Sequence, residues 1–141
     1  MKTVSVVGLG KLGLCIATVL AKDFRVIGID NDENHIKNLQ NGILHIKEPF
    51  LDEYYETSRR NIDFTTRFDQ LGEINFLVVP TPSMKDDSFD SSSLQNVLEK
   101  IKTKQTVVIV STVMPGETER LQNKYKHLSL VSVSYTHLRA H

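Results

Sequence analysis

The sequence predicts an α/β fold built on a doubly wound parallel sheet with strand order 3-2-1-4-5-6. Three observations carry that expectation. Short β-branched runs, among them Val4–Val7, Arg25–Ile29 and Thr106–Val110, have the length and composition of buried strands. They alternate with helical patterns, and strands separated by helices run parallel with right-handed crossovers. Three glycines, Gly8-x-Gly10-x-x-Gly13, stand between the first strand and the first helix. Nothing between these elements reads as a linker or an internal repeat.

Taken in order, the first helix is expected over about Lys11 to Lys22, with Leu12, Cys15, Ile16, Val19 and Leu20 on one apolar stripe. The second strand, Arg25 to Ile29, ends on Asp30. Asn31 or Asp32 then caps a helix that runs to about Gln40 with Ile36 and Leu39 inward, and Asn41-Gly42 stops it. Ile43 to Leu51 is apolar but irregular, and Glu48-Pro49 forces a break before a short helix through Tyr54 and Ser58. Ile62–Thr66 reads as a third strand and Phe76–Val79 as a fourth, with one or two helical turns between them at Arg67–Leu71. Pro80 to Asp90 reads as a surface loop. Leu94, Val97, Leu98 and Ile101 keep i, i+3, i+4, i+7 spacing and read as a core stripe. A fifth strand at Thr106–Val110, a charged helix to about Lys126 and a sixth strand at Leu128–Ser132 complete the series.

Composition narrows the function classes. The 141 residues are 40% hydrophobic and 24% charged, enough for one core. Basic and acidic residues balance at 17 each, so nothing points to nucleic acid or an acidic membrane surface as a partner. The apolar start is short and broken by glycines, neither a signal peptide nor a span. One cysteine cannot form an internal disulfide, which fits a reducing compartment, and a cytoplasmic protein is the default expectation. The five histidines show no metal-ligand spacing.

The glycines carry the chemistry. Gly8 permits the tight turn, Gly10 lets the backbone approach a pyrophosphate, and Gly13 lets the helix pack closely on the strand. Unpaired N–H groups at the helix start carry the positive end of its dipole and suit a diphosphate. Asp30, about 20 residues after the first glycine, supplies the acid that a dinucleotide ribose requires. In such a sheet, ligands bind at the carboxyl ends of the strands beside the switch in strand order. That rule selects Gly8–Gly13, Pro80–Ser83 and Ser111-Thr112 as three lips of one crevice. The plain alternatives are a stiff loop for the prolines and helix-capping hydroxyls for Ser111 and Thr112.

With these elements in place, the sequence resembles the amino-terminal domain of the UDP-glucose/GDP-mannose dehydrogenase family. The matching pieces are VVGLGKLGL, VIGIDND, NGILHIKEPFL, FTTRFD, FLVVPTPS and VVIVSTVMPGETE, which cover almost all of the first 120 residues. The resemblance implies NAD as cofactor, a nucleotide-sugar substrate of the UDP-glucose or UDP-N-acetylhexosamine type, and a homodimeric parent enzyme. It implies that Gly8, Gly10, Lys11, Leu12 and Gly13 hold the pyrophosphate, that Asp30 holds the adenosine ribose, and that Pro80, Thr81 and Pro82 line the cofactor cleft. Ser111 would contact NAD, and Thr112 would position the reacting sugar or the catalytic water. His35 stands where many members place Arg or Lys near the ribose; it either makes a weaker contact there or is an inert surface residue. Asp87 stands where relatives frequently have Gly.

The family's chemistry is two successive hydride transfers, with a cysteine thiolate capturing the aldehyde as a thiohemiacetal and water releasing the acid. That cysteine and an oxyanion-stabilising lysine belong to a later domain. Cys15, on the first helix, reads as a small core residue, so this chain is expected to be inactive by itself. The contending class is a nucleotide-sensing Rossmann module of the potassium-channel type, which shares the glycine motif but carries neither VPTP nor STxxPG. The domain is expected to occupy residues 1–132. Val133–His141, VSYTHLRAH, is expected to be non-native: it reads as GTC TCT TAT ACA CAT CTC CGA GCC CAC, which resembles a transposon-derived sequencing adapter.

Overall fold

In the computed structural model, which describes residues 2–79, 92–110 and 116–133, the alternating pattern becomes one parallel sheet. Its strands are β1 (Thr3–Val7), β2 (Arg25–Ile29), β3 (Ile62–Thr65), β4 (Ile74–Leu77), β5 (Gln105–Ile109) and β6 (Leu128–Ser132). Their order is β3-β2-β1-β4-β5-β6, as the sequence predicts. The helices are α1 (Lys11–Leu20), α2 (Glu33–Gln40), α3 (Leu51–Ser58), α4 (Ser92–Lys100) and α5 (Glu117–Lys124).

Successive strand residues face opposite sides of a sheet, so each strand feeds two cores. Val4, Val6, Val26, Ile62 and Phe64 pack with α1, α2 and α3 on one side. Val7, Ile27, Ile29, Leu77, Val107 and Ile109 pack with α4 and α5 on the other. Here the helical stripe Leu94, Val97, Leu98 and Ile101 is buried as expected. Asp32 caps α2 by accepting from the His35 N–H, and Ile36 and Leu39 are its buried residues. Gly42 then takes φ +78, which ends the helix.

The first helix departs from the expectation. Its buried residues are Gly13, Leu14, Ala17 and Thr18, followed by a buried Ala21. Of the expected stripe, Cys15, Ile16 and Leu20 are only partly buried against the first core, Leu12 is half-buried, and Val19 is 52% exposed. The physical reason is closeness of approach. Gly13, Ala17 and Ala21 form a row of small residues four apart, and this row lies against the sheet, so the larger side chains are displaced to the flank facing α3.

Other differences lie at boundaries. β4 starts at Ile74 and ends at Leu77, two residues earlier than predicted, although the Val78 N–H still donates to the Val7 carbonyl at 2.7 Å. Arg67–Leu71 forms no helix; Phe68 and Leu71 instead pack against the second core. The β5–β6 pairing runs to Val133, whose N–H donates to the Ile109 carbonyl at 2.8 Å. The remainder of the expected tail, residues 134–141, lies outside the described residues.

Between α2 and α3 the chain is an extended strap. Leu44 and Ile46 turn inward onto the first core, while Ile43, His45 and Lys47 face solvent. The strap ends at Phe50, which has φ +67 and is the one non-glycine residue with positive φ among the described residues. Its ring is 69% exposed, so little packing offsets the left-handed backbone. Phe50→Gly should therefore raise the unfolding free energy by about 0.5–1 kcal/mol, strain relief outweighing the added freedom of the unfolded chain. A urea titration checks this: the midpoint should rise with an unchanged slope, and a lower midpoint would show that the ring packs on something essential.

Candidate functional site

The carboxyl ends of β1, β2 and β4 meet at a cleft of about 600 Å³ beside the switch in strand order. Gly8, Gly10, Lys11, Leu12, Gly13 and Asp30 all line it, as the sequence reading placed them. Gly8 has φ +97, and a Cβ there would lie 2.4 Å from the Val78 carbonyl oxygen. A Cβ on Gly13 would lie 1.7 Å from the Gly8 carbonyl oxygen. Both glycines are therefore demanded by the packing of α1 on the loop and of the loop on the end of β4.

Gly10 is different. It sits at φ −74 as the N-cap of α1, is exposed, and a Cβ on it would meet nothing within 4 Å. The fold leaves this position open. α1 has no side-chain cap and no acidic residue in its first turn. Its first N–H groups and the positive end of its dipole therefore face the cleft without an internal anion on the helix itself. The cation of Lys11 pairs with Glu48, brought over by the strap. This pair is mostly solvent-exposed on the lysine side and adds little stability.

Asp30 is held by backbone. Its Oδ2 accepts from the Leu9 N–H at 2.9 Å and its Oδ1 from the Asp32 N–H at 3.0 Å. Each carboxylate oxygen keeps a lone pair for a ligand. His35 is not among the cleft-lining residues; its Nε2 lies 2.6 Å from the Leu9 carbonyl oxygen. Pro80, Thr81, Pro82, Ser111 and Thr112 lie outside the described residues, as does Asp87.

The structure adds residues that sequence reasoning missed. Phe68, Val78, Val79, Ser93, Asn96, Val97 and Lys100 complete the cleft. The Lys100 ammonium sits 4.8 Å from the Phe68 ring centre, a cation–π contact on one wall. Ser93, Asn96, Val97 and Lys100 share the i, i+3, i+4, i+7 spacing, so a second stripe beside the core stripe of α4 was readable. Val97 belongs to both, since it is a core residue that also lines the cleft. Phe68 left no signal, because its segment had no period.

A second cleft of about 600 Å³ opens at the amino ends of β4, β5 and β6, between Glu73, Lys104 and His127. It lies at the end of the sheet where such folds do not bind ligands. Cys15 is half-buried, and burial pushes its thiol pKa up against a weaker pull from Lys11. Such a thiol is a poor nucleophile. Among the described residues no group of three or more His, Cys, Asp or Glu can hold a metal ion. No described helix is long and apolar enough to cross a membrane.

Comparison with known proteins identifies the family. The model of the UDP-glucose/GDP-mannose dehydrogenase family, NAD binding domain, matches residues 2–134. Protein CapL of Staphylococcus aureus is 35% identical over 84% of this chain and 28% of its own length. UDP-glucose 6-dehydrogenase of Campylobacter jejuni is 31% identical over 89% of this chain and 34% of its own length. The solved UDP-D-ManNAc dehydrogenase from Pyrococcus horikoshii superimposes with a TM-score of 0.83 at 26% identity, over 94% of this chain and 36% of that one. This chain therefore spans about a third of the length of such relatives. With the glycine loop, the acid after β2 and the sheet order all in place, the chain belongs to the UDP-glucose/GDP-mannose dehydrogenase family and represents its NAD-binding domain.

Proposed function

We propose that the cleft at Gly8–Gly13 and Asp30 seats NAD and that the protein serves a nucleotide-sugar dehydrogenase. In that enzyme the primary alcohol of a UDP-sugar, UDP-glucose or a UDP-N-acetylhexosamine, is oxidised to the uronate in two steps. NAD, when bound, supplies the hydride acceptor. The observation that carries the reading is the bare, open Gly10 at the uncapped start of α1. The fold itself asks for no glycine there, whereas a diphosphate approaching the backbone does. Lys11, Leu12 and Gly13 follow in the first turn of the same helix and line the same cleft.

The remaining residues fit this seating. Asp30 receives the adenosine ribose hydroxyls on lone pairs left after its two backbone bonds. By the family resemblance, Pro80, Thr81 and Pro82 would line the cofactor cleft, Ser111 would contact NAD, and Thr112 would help position the reacting sugar or the catalytic water. Cys15, with its thiol pKa raised, is not the nucleophile. The thiolate and the oxyanion lysine that the family resemblance implies belong to a later domain.

The Gly10 argument separates binding from folding. Gly10→Ala should cost less than about 1 kcal/mol of stability, as for an unfavourable N-cap. It should weaken NAD by about tenfold or more, the scale of lost hydrogen bonds to a charged group. Gly13→Ala should cost about 3 kcal/mol or more, because its Cβ meets backbone. Calorimetry and denaturant titration of both variants decide the matter; a folded Gly10→Ala protein with undiminished NAD affinity removes the main support.

NAD should be preferred over NADP. A 2′-phosphate would meet the Asp30 carboxylate at close range, and no arginine immediately follows to receive it. Asp30→Ala should weaken NAD by about 1–3 kcal/mol, the value of charged hydrogen bonds. Titration with both cofactors checks this, and equal or tighter NADP binding overturns it. In an enzyme extended to the length of its relatives, Thr112→Val should fold normally but lose turnover by roughly 10²-fold, as misplaced reacting groups do. Normal turnover would reduce Thr112 to a helix cap.

A further inference from the structure

We propose that His35 is a positioning residue that sets the Leu9–Gly10 peptide of the phosphate loop, rather than a contact to the ribose. This rests on the NAD-binding reading above. The Leu9 side chain is fully buried, its N–H donates to Asp30 Oδ2 at 2.9 Å, and its carbonyl accepts from His35 Nε2 at 2.6 Å. A carbonyl oxygen only accepts, so Nε2 carries a proton whether the ring is neutral or cationic. A trans peptide is planar, with its C=O and N–H pointing in opposite directions. Drawing the Leu9 carbonyl towards α2 therefore turns the Gly10 N–H away from α2.

Gly10 has no side chain and no neighbour at its Cβ position that would resist a flip of this peptide. The ring that holds it is itself held. The His35 N–H donates to Asp32 Oδ1 at 3.1 Å, and the Asp32 N–H donates to Asp30 Oδ1 at 3.0 Å. Leu9, Asp30, Asp32 and His35 thus form a closed circuit of four hydrogen bonds joining the glycine loop to the start of α2. Asp30 fixes one face of the Leu9 unit and His35 the other. The loop then meets a diphosphate with the Gly10 donor already aimed, which lowers the ordering cost of binding.

Four measurements test this. His35→Ala and His35→Leu, the second filling the space without a donor, should each weaken NAD by about three- to tenfold, the scale of one neutral hydrogen bond. His35→Gln, whose amide nitrogen reaches the same point, should restore affinity to within about twofold of wild type. NAD lacking the adenosine 2′-hydroxyl should lose the same factor in wild type and in His35→Leu, because His35 does not touch the ribose. Without ligand, nitrogen NMR should show a protonated Nε2, and the Gly10 amide signal should move in His35→Leu and return in His35→Gln. Unchanged affinity in the donor-less variants, no rescue by Gln, or a 2′-hydroxyl penalty that vanishes in His35→Leu would each overturn the proposal. If wild type itself binds no NAD, the cofactor reading fails, while the tautomer and the Gly10 signal still judge the clamp.

Discussion

The contact on which the rest of the structure depends is that of Gly13 with the Gly8 carbonyl. A side chain at Gly13 would begin 1.7 Å from that oxygen, so α1 reaches the loop only because Gly13 lacks a Cβ, while the bare Gly8 lets the loop sit against Val78 at the end of β4. This approach sets the height of α1 above the sheet. The small residues Ala17 and Ala21 continue the same line of close packing, and the larger Ile16 and Leu20 are driven to the flank. It also places the start of α1 over the carboxyl ends of β1 and β4, where its dipole bears on the cleft. Packing and electrostatics are here one constraint, since the groups that let the helix come close also determine where its positive end points.

The second layer is polar and joins elements far apart in sequence. Asp30 sits at the end of β2, yet its carboxylate is spent first on the backbone of the β1 loop and of the approach to α2. A carboxylate fixed by two backbone donors has its remaining lone pairs directed before any ligand arrives. The strap acts from the opposite side. Its alternating burial seats Leu44 and Ile46 on the first core and delivers Glu48 to Lys11, so the cation beside the loop is paired with a residue of the strap.

The two faces of the sheet divide the work. The face under α1, α2 and α3 carries the glycine loop and its polar circuit, while the face under α4 and α5 closes the far wall with Val97, Asn96 and Lys100. Phe68 reaches this wall from the β3–β4 connection and lies against the Lys100 ammonium. An aromatic ring and a cation thus stand together on the cleft lining, with Val97 and Asn96 from the same helix.

What the sequence by itself determined is what local pattern encodes. The strand–helix rhythm dictates parallel pairing, right-handed crossovers and hence the order of six strands, and Gly8-x-Gly10-x-x-Gly13 with Asp30 is local in chain position and chemistry. Spacing also identified Leu94, Val97, Leu98 and Ile101 as core, because a helix turns every 3.6 residues wherever it packs. Only the tertiary structure decided which face of α1 is buried, since that depends on how closely a helix approaches and not on how apolar its stripes are. It alone brought Phe68 to Lys100, Glu48 to Lys11 and His35 to the Leu9 carbonyl. Those pairs are separated by tens of residues, and no periodicity carries information about a contact made across the end of a sheet.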